Sequence, residues 1–158
     1  MNTGVIQRGE EEHAEDAEKK PYWNLSREII SASIEVHEVL GPGLLEGIYE
    51  AALFHELQLR NINVRRQLEV PVFYKGLPLS KALRLDLLIE NNVVIEIKSV
   101  ETVLALHKAQ LLSYLRLTGC ELGLLINFNA VQLRHGLHRV VNTHSKNSAS
   151  SAHSSSPR

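Results

Sequence analysis

Cys120 is the only cysteine among 158 residues, which excludes an internal disulfide framework and any cysteine-based zinc cluster. No apolar run is long enough to span a bilayer and no apolar h-region follows the start, so the cytoplasm is the expected location and no membrane is expected as a partner. Net charge is lacking too. Residues 21–141 carry 12 Lys+Arg against 12 Asp+Glu, so a nucleic-acid partner would have to be drawn by a local patch or a bound cation. Internal repeats are absent.

What is present is enough apolar content, 44%, for one compact domain with a real core. Residues 1–20 hold six acids (Glu10, Glu11, Glu12, Glu15, Asp16, Glu18), and 142–158 is Ser-rich without large apolar side chains. Both ends are expected to be disordered, leaving 21–141 as the domain.

Periodicity organises that domain. Leu25, Ile29, Ala32, Val36 and Leu40 recur at helical spacing, with Ile30 and Ile34 widening the stripe and Gly41 as the stop. A second helix is predicted from about Leu44 to Arg60, burying Leu45, Ile48, Ala52, Leu53 and Leu57. Residues 64–74 read as a strand with an irregularity at Pro71, followed by a turn at Lys75-Gly76. Strands at 83–89 and 93–99, a helix at 103–118 stopped by Gly119, the buried strand "ELGLLINF" and a last strand at 137–141 complete an α/β sandwich. The predicted order is αα-βββ-α-β, around a mixed sheet of four to five strands.

Charges inside this apolar pattern raise a register problem. In "RLDLLIENNVVIEIK", alternation predicts Leu83, Leu85, Leu87 and Ile89 on one face, with Arg84, Asp86 and Leu88 on the other. A two-residue Asn91-Asn92 turn would set Asp86 across from Ile97 and separate it from Glu96. A three-residue loop, Glu90-Asn91-Asn92, instead pairs Ile89 with Val93 and places Asp86 opposite Glu96 and Arg84 opposite Lys98, all on one face. That register is the prediction, with Asn92 in the left-handed region. Two adjacent carboxylates repel unless they share a proton or a cation lies between them, and a hard cation such as Mg²⁺ accepts such oxygen ligands. The alternative is a salt-bridge lattice, Arg84 to Glu96 and Lys98 to Asp86.

Asp86, nine intervening residues, then Glu96-Ile97-Lys98 resembles the D…(D/E)xK signature of the PD-(D/E)XK nuclease superfamily, with Leu85 where the superfamily's proline would stand. Gln110 and Tyr114 in "QLLSY" resemble the QxxxY motif of its exonuclease-like branch. Gly43, Glu46 and Tyr49 in "GPGLLEGIY" match the pattern that names the GxxExxY family of small bacterial proteins, and the resemblance spans about 24–141. It implies a restriction-endonuclease-like core in which Asp86, Glu96, Glu46 and the Ile97 carbonyl hold one or two Mg²⁺ or Mn²⁺ ions. Lys98 and Gln110 would then act with Asp86 and Glu96 in phosphodiester hydrolysis, on DNA by family likeness, with a dimer or partner protein strengthening binding. A non-cleaving nucleic-acid- or protein-binding module on the same fold is the competing function.

Several residues carry two readings at this stage. With Gly43 as N-cap, Glu46 would close a capping box; under the resemblance it faces the cation. His107, Gln110 and Tyr114 can line one stripe of their helix toward the sheet, and Gln110 either orients Lys98 or a phosphate or caps local backbone groups. Tyr49 and Tyr114 are either core aromatics with a hydroxyl at the rim or substrate contacts. His135 and His138 lack a third ligand nearby.

Overall fold

A computed structural model describes residues 21–144, so the segment 1–20 and all but the first three residues of 142–158 lie outside the described residues. Two helices open the domain, α1 (Pro21–Leu40) and α2 (Glu46–Leu59). Strand β1 (Val64–Val70) is followed by a small hairpin, β2 (Phe73–Tyr74) and β3 (Leu77–Pro78), and then by β4 (Leu83–Ile89) and β5 (Val93–Lys98). Helix α3 (Ala105–Thr118) crosses over to β6 (Leu122–Asn127); a short α4 (Leu133–Gly136) leads into β7 (Leu137–Val141). The five long strands form one mixed sheet in the order β1-β4-β5-β6-β7, antiparallel except for the parallel β5–β6 pair. The α/β sandwich and the order of its elements are as the periodicity predicts. The expected 64–74 strand instead stops at Val70, and its last two residues pair with β3 as a separate ribbon.

Two apolar layers cover the sheet. On one face Ile29, Ala32 and Val36 of α1 and Tyr49, Leu53 and Leu57 of α2 pack on Leu87, Ile89, Ile95, Ile97, Leu124 and Ile126. On the other, Leu111 and Leu115 of α3 pack on Leu85, Leu88, Val94 and Leu125. Gly123 lets α3 approach closely, since a Cβ there would lie 2.9 Å from Leu111 side-chain atoms. Gly119, at φ +73, ends α3 in the left-handed conformation. At the far end, Asn142 is buried, its amide donating to the Glu121 carbonyl and its side chain to that of Cys120.

Some predicted faces are turned. Leu45 is 76% exposed and Ile48 45%, while Tyr49 and Glu50 go inward, because α2 is rotated to stack Tyr49 on Phe128 at 4.6 Å and 8°. Ile34 is exposed on α1. The simple alternation along β4 also fails. Leu83 and Leu85 lie in the α3 layer, but so does Leu88, while Leu87 and Ile89 lie under α1 and α2. The strand therefore changes phase at Asp86. Its neighbour β1 changes phase at the same level, with Val64 in the α1–α2 layer and Leu68 and Val70 in the α3 layer, around Gln67 at φ +53. A positive φ is uncommon for a side-chain-bearing residue, and the paired distortion lies where the charged residues begin.

Candidate active site

The β4–β5 ladder runs Ile89↔Val93, Leu88↔Val94 and Leu87↔Ile95, the register of a three-residue loop. One step further puts Asp86 opposite Glu96, but the ladder stops short of it. Beyond that point β4 continues against β1, through Leu85↔Leu68 to Leu83↔Val70, and β5 against β6, through Lys98↔Asn127. The two central strands thus fork at the acidic pair. In place of a ladder bond, the Ile97 amide donates to Asp86 Oδ2 at 2.8 Å, so the carboxylate closes the fork and fixes the Ile97 peptide.

The loop differs in one detail. Glu90 (φ +49) and Asn91 (φ +54) adopt the left-handed conformation, and Asn92 does not. The cause is tertiary: Asn63 clamps Glu90, its carbonyl accepting from the Glu90 amide and its amide donating to Glu90 Oε1, while Arg65 reaches the Asn91 side chain.

Glu96 is 7% exposed. Its Oε1 accepts from Lys98 Nζ at 3.3 Å, and its Oε2 is the one fully buried side-chain nitrogen or oxygen among the described residues without a hydrogen-bond partner. Burial, reinforced by the charge on Asp86, pushes the Glu96 carboxyl up to about 7, against the pull of Lys98. Asp86 is also raised, by burial first; the Ile97 amide opposes this, and Glu50 and Glu46 add to it. Burial alone would depress the Lys98 ammonium, but Glu96, Glu46 and Asp86 together raise it, so Lys98 stays charged. The alternative salt-bridge lattice does not form: Lys98 pairs with Glu96, and the phase change leaves Arg84 exposed with no ion pair to Glu96.

Glu46 enters from α2. Leu45 is the N-cap and makes no side-chain cap bond, so Glu46 is the first helical residue rather than the third, and the capping box expected with Gly43 as N-cap is absent. Glu46 Oε1 instead accepts from the Ser99 amide at 3.3 Å, just beyond Lys98, and Ser99 Oγ donates to the Leu44 carbonyl. Tyr49 is fully buried and shapes this corner: its hydroxyl accepts from the Leu44 amide at 3.0 Å and donates to the Gly41 carbonyl, holding a turn in which Gly43 sits at φ +94.

From α3, Gln110 Nε2 donates to Tyr114 Oη at 2.6 Å. Gln110 is exposed, and it is Leu111 and Leu115 that meet the sheet, so the expected inward polar stripe lies at the helix edge. Burial and then the charge on Glu96 raise the Tyr114 phenol, against the hydrogen bond from Gln110. His107 caps α3, its Nδ1 accepting from the Leu104 amide at 3.1 Å.

Three neighbours escaped the sequence reading. Glu50 is buried, bonded to Arg66 Nε and Gln67 Nε2, and follows Glu46 by one helical turn, the spacing that could have revealed it. Gln67 carried no local signal. Asn127, a polar end to an apolar run, is buried and brackets Val100, donating to its carbonyl at 2.8 Å and accepting from its amide at 3.0 Å, which anchors the loop after Lys98.

Among the described residues no three His, Cys, Asp or Glu side chains are grouped closely enough to cage a metal ion, His135 and His138 included. Two neighbouring carboxylates, the charge of Asp86 acting on Glu96 and Glu96 having an orphaned buried oxygen, do fit a hard cation that keeps waters and takes its remaining oxygens from substrate. Nor is any helix among the described residues long and apolar enough to cross a membrane. No curated protein and no solved structure matches the chain. A family model described as the PD-(D/E)XK nuclease superfamily matches residues 23–140, a span that takes in both opening helices, the forked strands and the β5–α3–β6 crossover. The chain belongs to the PD-(D/E)XK nuclease superfamily.

Proposed function

We propose that the protein hydrolyses phosphodiester bonds of DNA with the help of one or two Mg²⁺ or Mn²⁺ ions. The observation that carries this reading is the buried, unpartnered Oε2 of Glu96 opposite Asp86, with the Glu96 carboxyl raised to about 7. Asp86 and Glu96 would hold the ion with the Ile97 carbonyl, and Glu46, which is not grouped with that pair and accepts from the Ser99 amide, would reach it through a bound water. A bound divalent ion supplies polarisation of a phosphoryl oxygen and a water of lowered pKa.

The chain's own groups supply the rest. Asp86, by accepting from the Ile97 amide, fixes the peptide that presents the Ile97 carbonyl. Lys98 keeps its ammonium charged beside the carboxylates, where it neutralises charge gathering on the phosphoryl oxygens in the transition state. Gln110 and Tyr114 act as one hydrogen-bonded unit at the rim, suited to orient a phosphate near Lys98. The Gly43, Glu46 and Tyr49 pattern supports placing the protein in the bacterial GxxExxY branch. A domain without net charge binds DNA weakly alone, which supports a homodimer or a partner protein in the working assembly.

The test is to titrate Mg²⁺ and Mn²⁺ into the protein while following its melting temperature, then to assay linear, circular and single-stranded DNA with either ion and with chelator. Stabilisation together with ion-dependent cutting is expected. Stabilisation without cutting of any substrate would replace the nuclease with a binding module on the same fold, and no response to either ion would remove the metal site.

A further inference from the structure

The segment between β1 and β4 stands apart from the rest of the domain. Every residue from 71 to 82 is exposed except the half-buried Val72, and none belongs to either core layer. The β2–β3 ribbon within it pairs only with itself, Phe73↔Pro78 and Tyr74↔Leu77, around Lys75 (φ +48) and Gly76 (φ +81). Such a two-stranded ribbon gains little stability alone, and this one lends none to the core, so its side chains are free to serve contact with something else.

Those side chains have a definite character. Phe73, Tyr74 and Leu77 are 59%, 62% and 62% exposed. Adjacent strand residues point to opposite faces, so Phe73 and Tyr74 arm both sides of the ribbon. Lys75 Nζ lies 5.4 Å from the centre of the Tyr74 ring. From Val70 to Leu85 the chain carries Lys75, Lys81 and Arg84 and no acid, whereas residues 21–141 as a whole balance to zero. This is the local positive patch that a neutral domain needs to meet a polyanion. Aromatic rings beside cations are what unpaired nucleic acid binds, its bases stacking on the rings and its phosphates on the ammonium groups.

Position adds to chemistry. The ribbon springs from the paired ends Val70↔Leu83, and Asp86 follows Leu83 by three residues, a rise of about 10 Å along the strand. Because β4 and β5 are antiparallel, the Leu83 end of β4 runs out on the same side of their short ladder as the Glu96–Lys98 end of β5, beyond the fork. We propose that the β2–β3 ribbon is a nucleic-acid-binding blade that takes unpaired bases on Phe73 and Tyr74, so that the preferred substrate is single-stranded or frayed at an end. The substrate class rests on the nuclease reading above; the binding does not.

The test is fluorescence anisotropy of the full chain in chelator, where nothing is cut, with a labelled single-stranded oligonucleotide and its duplex, comparing the parent with Phe73→Ala/Tyr74→Ala. Both side chains are exposed, so the variant should melt as the parent does. The parent is expected to bind the single strand more tightly than the duplex, and the variant to lose at least ~25-fold of the single-strand affinity, the product of two stacking contacts. Equal affinity of parent and variant for the single strand overturns the proposal. So does a parent that prefers duplex or binds neither, and so does a variant that turns a dimeric parent into a monomer with oligonucleotide binding intact, which would make the ribbon a self-association element. Failure of the nuclease reading looks different: the blade binds as expected, yet adding Mg²⁺ or Mn²⁺ brings no cutting.

Discussion

Glu96→Gln turns the electrostatics of the forked strands into a stability measurement. The folded protein raises the Glu96 carboxyl from 4.5 to about 7, so it holds this proton more tightly than the unfolded chain does. Stability from that preference is fully present below about 4.5 and is lost as pH rises through about 7. Each pH unit between the two values is worth about 1.4 kcal/mol, giving about 3 kcal/mol across the window. Raised Asp86 adds a loss of the same sign in both proteins, and because its charge also lifts Glu96, the difference reports Glu96 together with its coupling to Asp86. Urea melts in chelator at pH 5 and pH 8 should therefore show the parent losing about 2.5 kcal/mol more than Glu96→Gln, since the unfolded carboxyl is already largely ionised at pH 5. Mn²⁺ should shrink this gap, because an ion favours the ionised carboxylate. Parallel losses in the two proteins would refute the reasoning, by showing that Glu96 titrates as an ordinary surface acid.

Glu46→Gln should leave stability nearly unchanged, because Glu46 closes no capping box and a Gln oxygen can still accept from the Ser99 amide, while weakening the Mn²⁺-induced rise in melting temperature; an unaltered Mn²⁺ affinity would count against it as a ligand. Tyr49→Phe strips the Leu44 amide and the Gly41 carbonyl of a partner and should cost about 1–3 kcal/mol in a urea melt, with no change refuting its role as the post of that turn. Lys98→Ala should bind Mn²⁺ at least as tightly as the parent, since it removes a nearby positive charge, yet cut DNA at least ~100-fold more slowly in a rate assay. A variant cutting at the parent rate would take Lys98 out of the mechanism.

The course of the chain was legible because periods of two and of about 3.6 survive in its apolar residues, from Ile29, Ala32 and Val36 on α1 to the continuous "LGLLIN" of β6. The parity of Asp86 and Glu96 was enough to select the three-residue loop, whose register the structure shares. Contacts between residues far apart in sequence were not legible. Asn63 decides that Glu90 and Asn91, rather than Asn92, take positive φ, and no pattern within the loop reports on Asn63. The phase change at Asp86 coincides with Gln67 on the neighbouring strand, where alternation within β4 alone predicts continuity. Helix α2 turns to stack Tyr49 on Phe128, which carries Leu45 and Ile48 outward and Glu50 inward. In the candidate site, Asp86, Glu96 and Lys98 stand out by their spacing, Glu46 only through the family resemblance and Glu50 not at all; what Asp86, Glu46 and Tyr49 bond to depends on the fork and the Gly41–Leu44 turn.

The most direct test of the central claim is the rate at which parent and Asp86→Asn release label from linear DNA across a Mn²⁺ series, with chelator as the zero point. Cutting by the parent that rises with Mn²⁺ and vanishes in chelator, together with a loss of at least ~100-fold in the variant, is the predicted result. Cutting that persists in chelator, or a variant as fast as the parent, would contradict it.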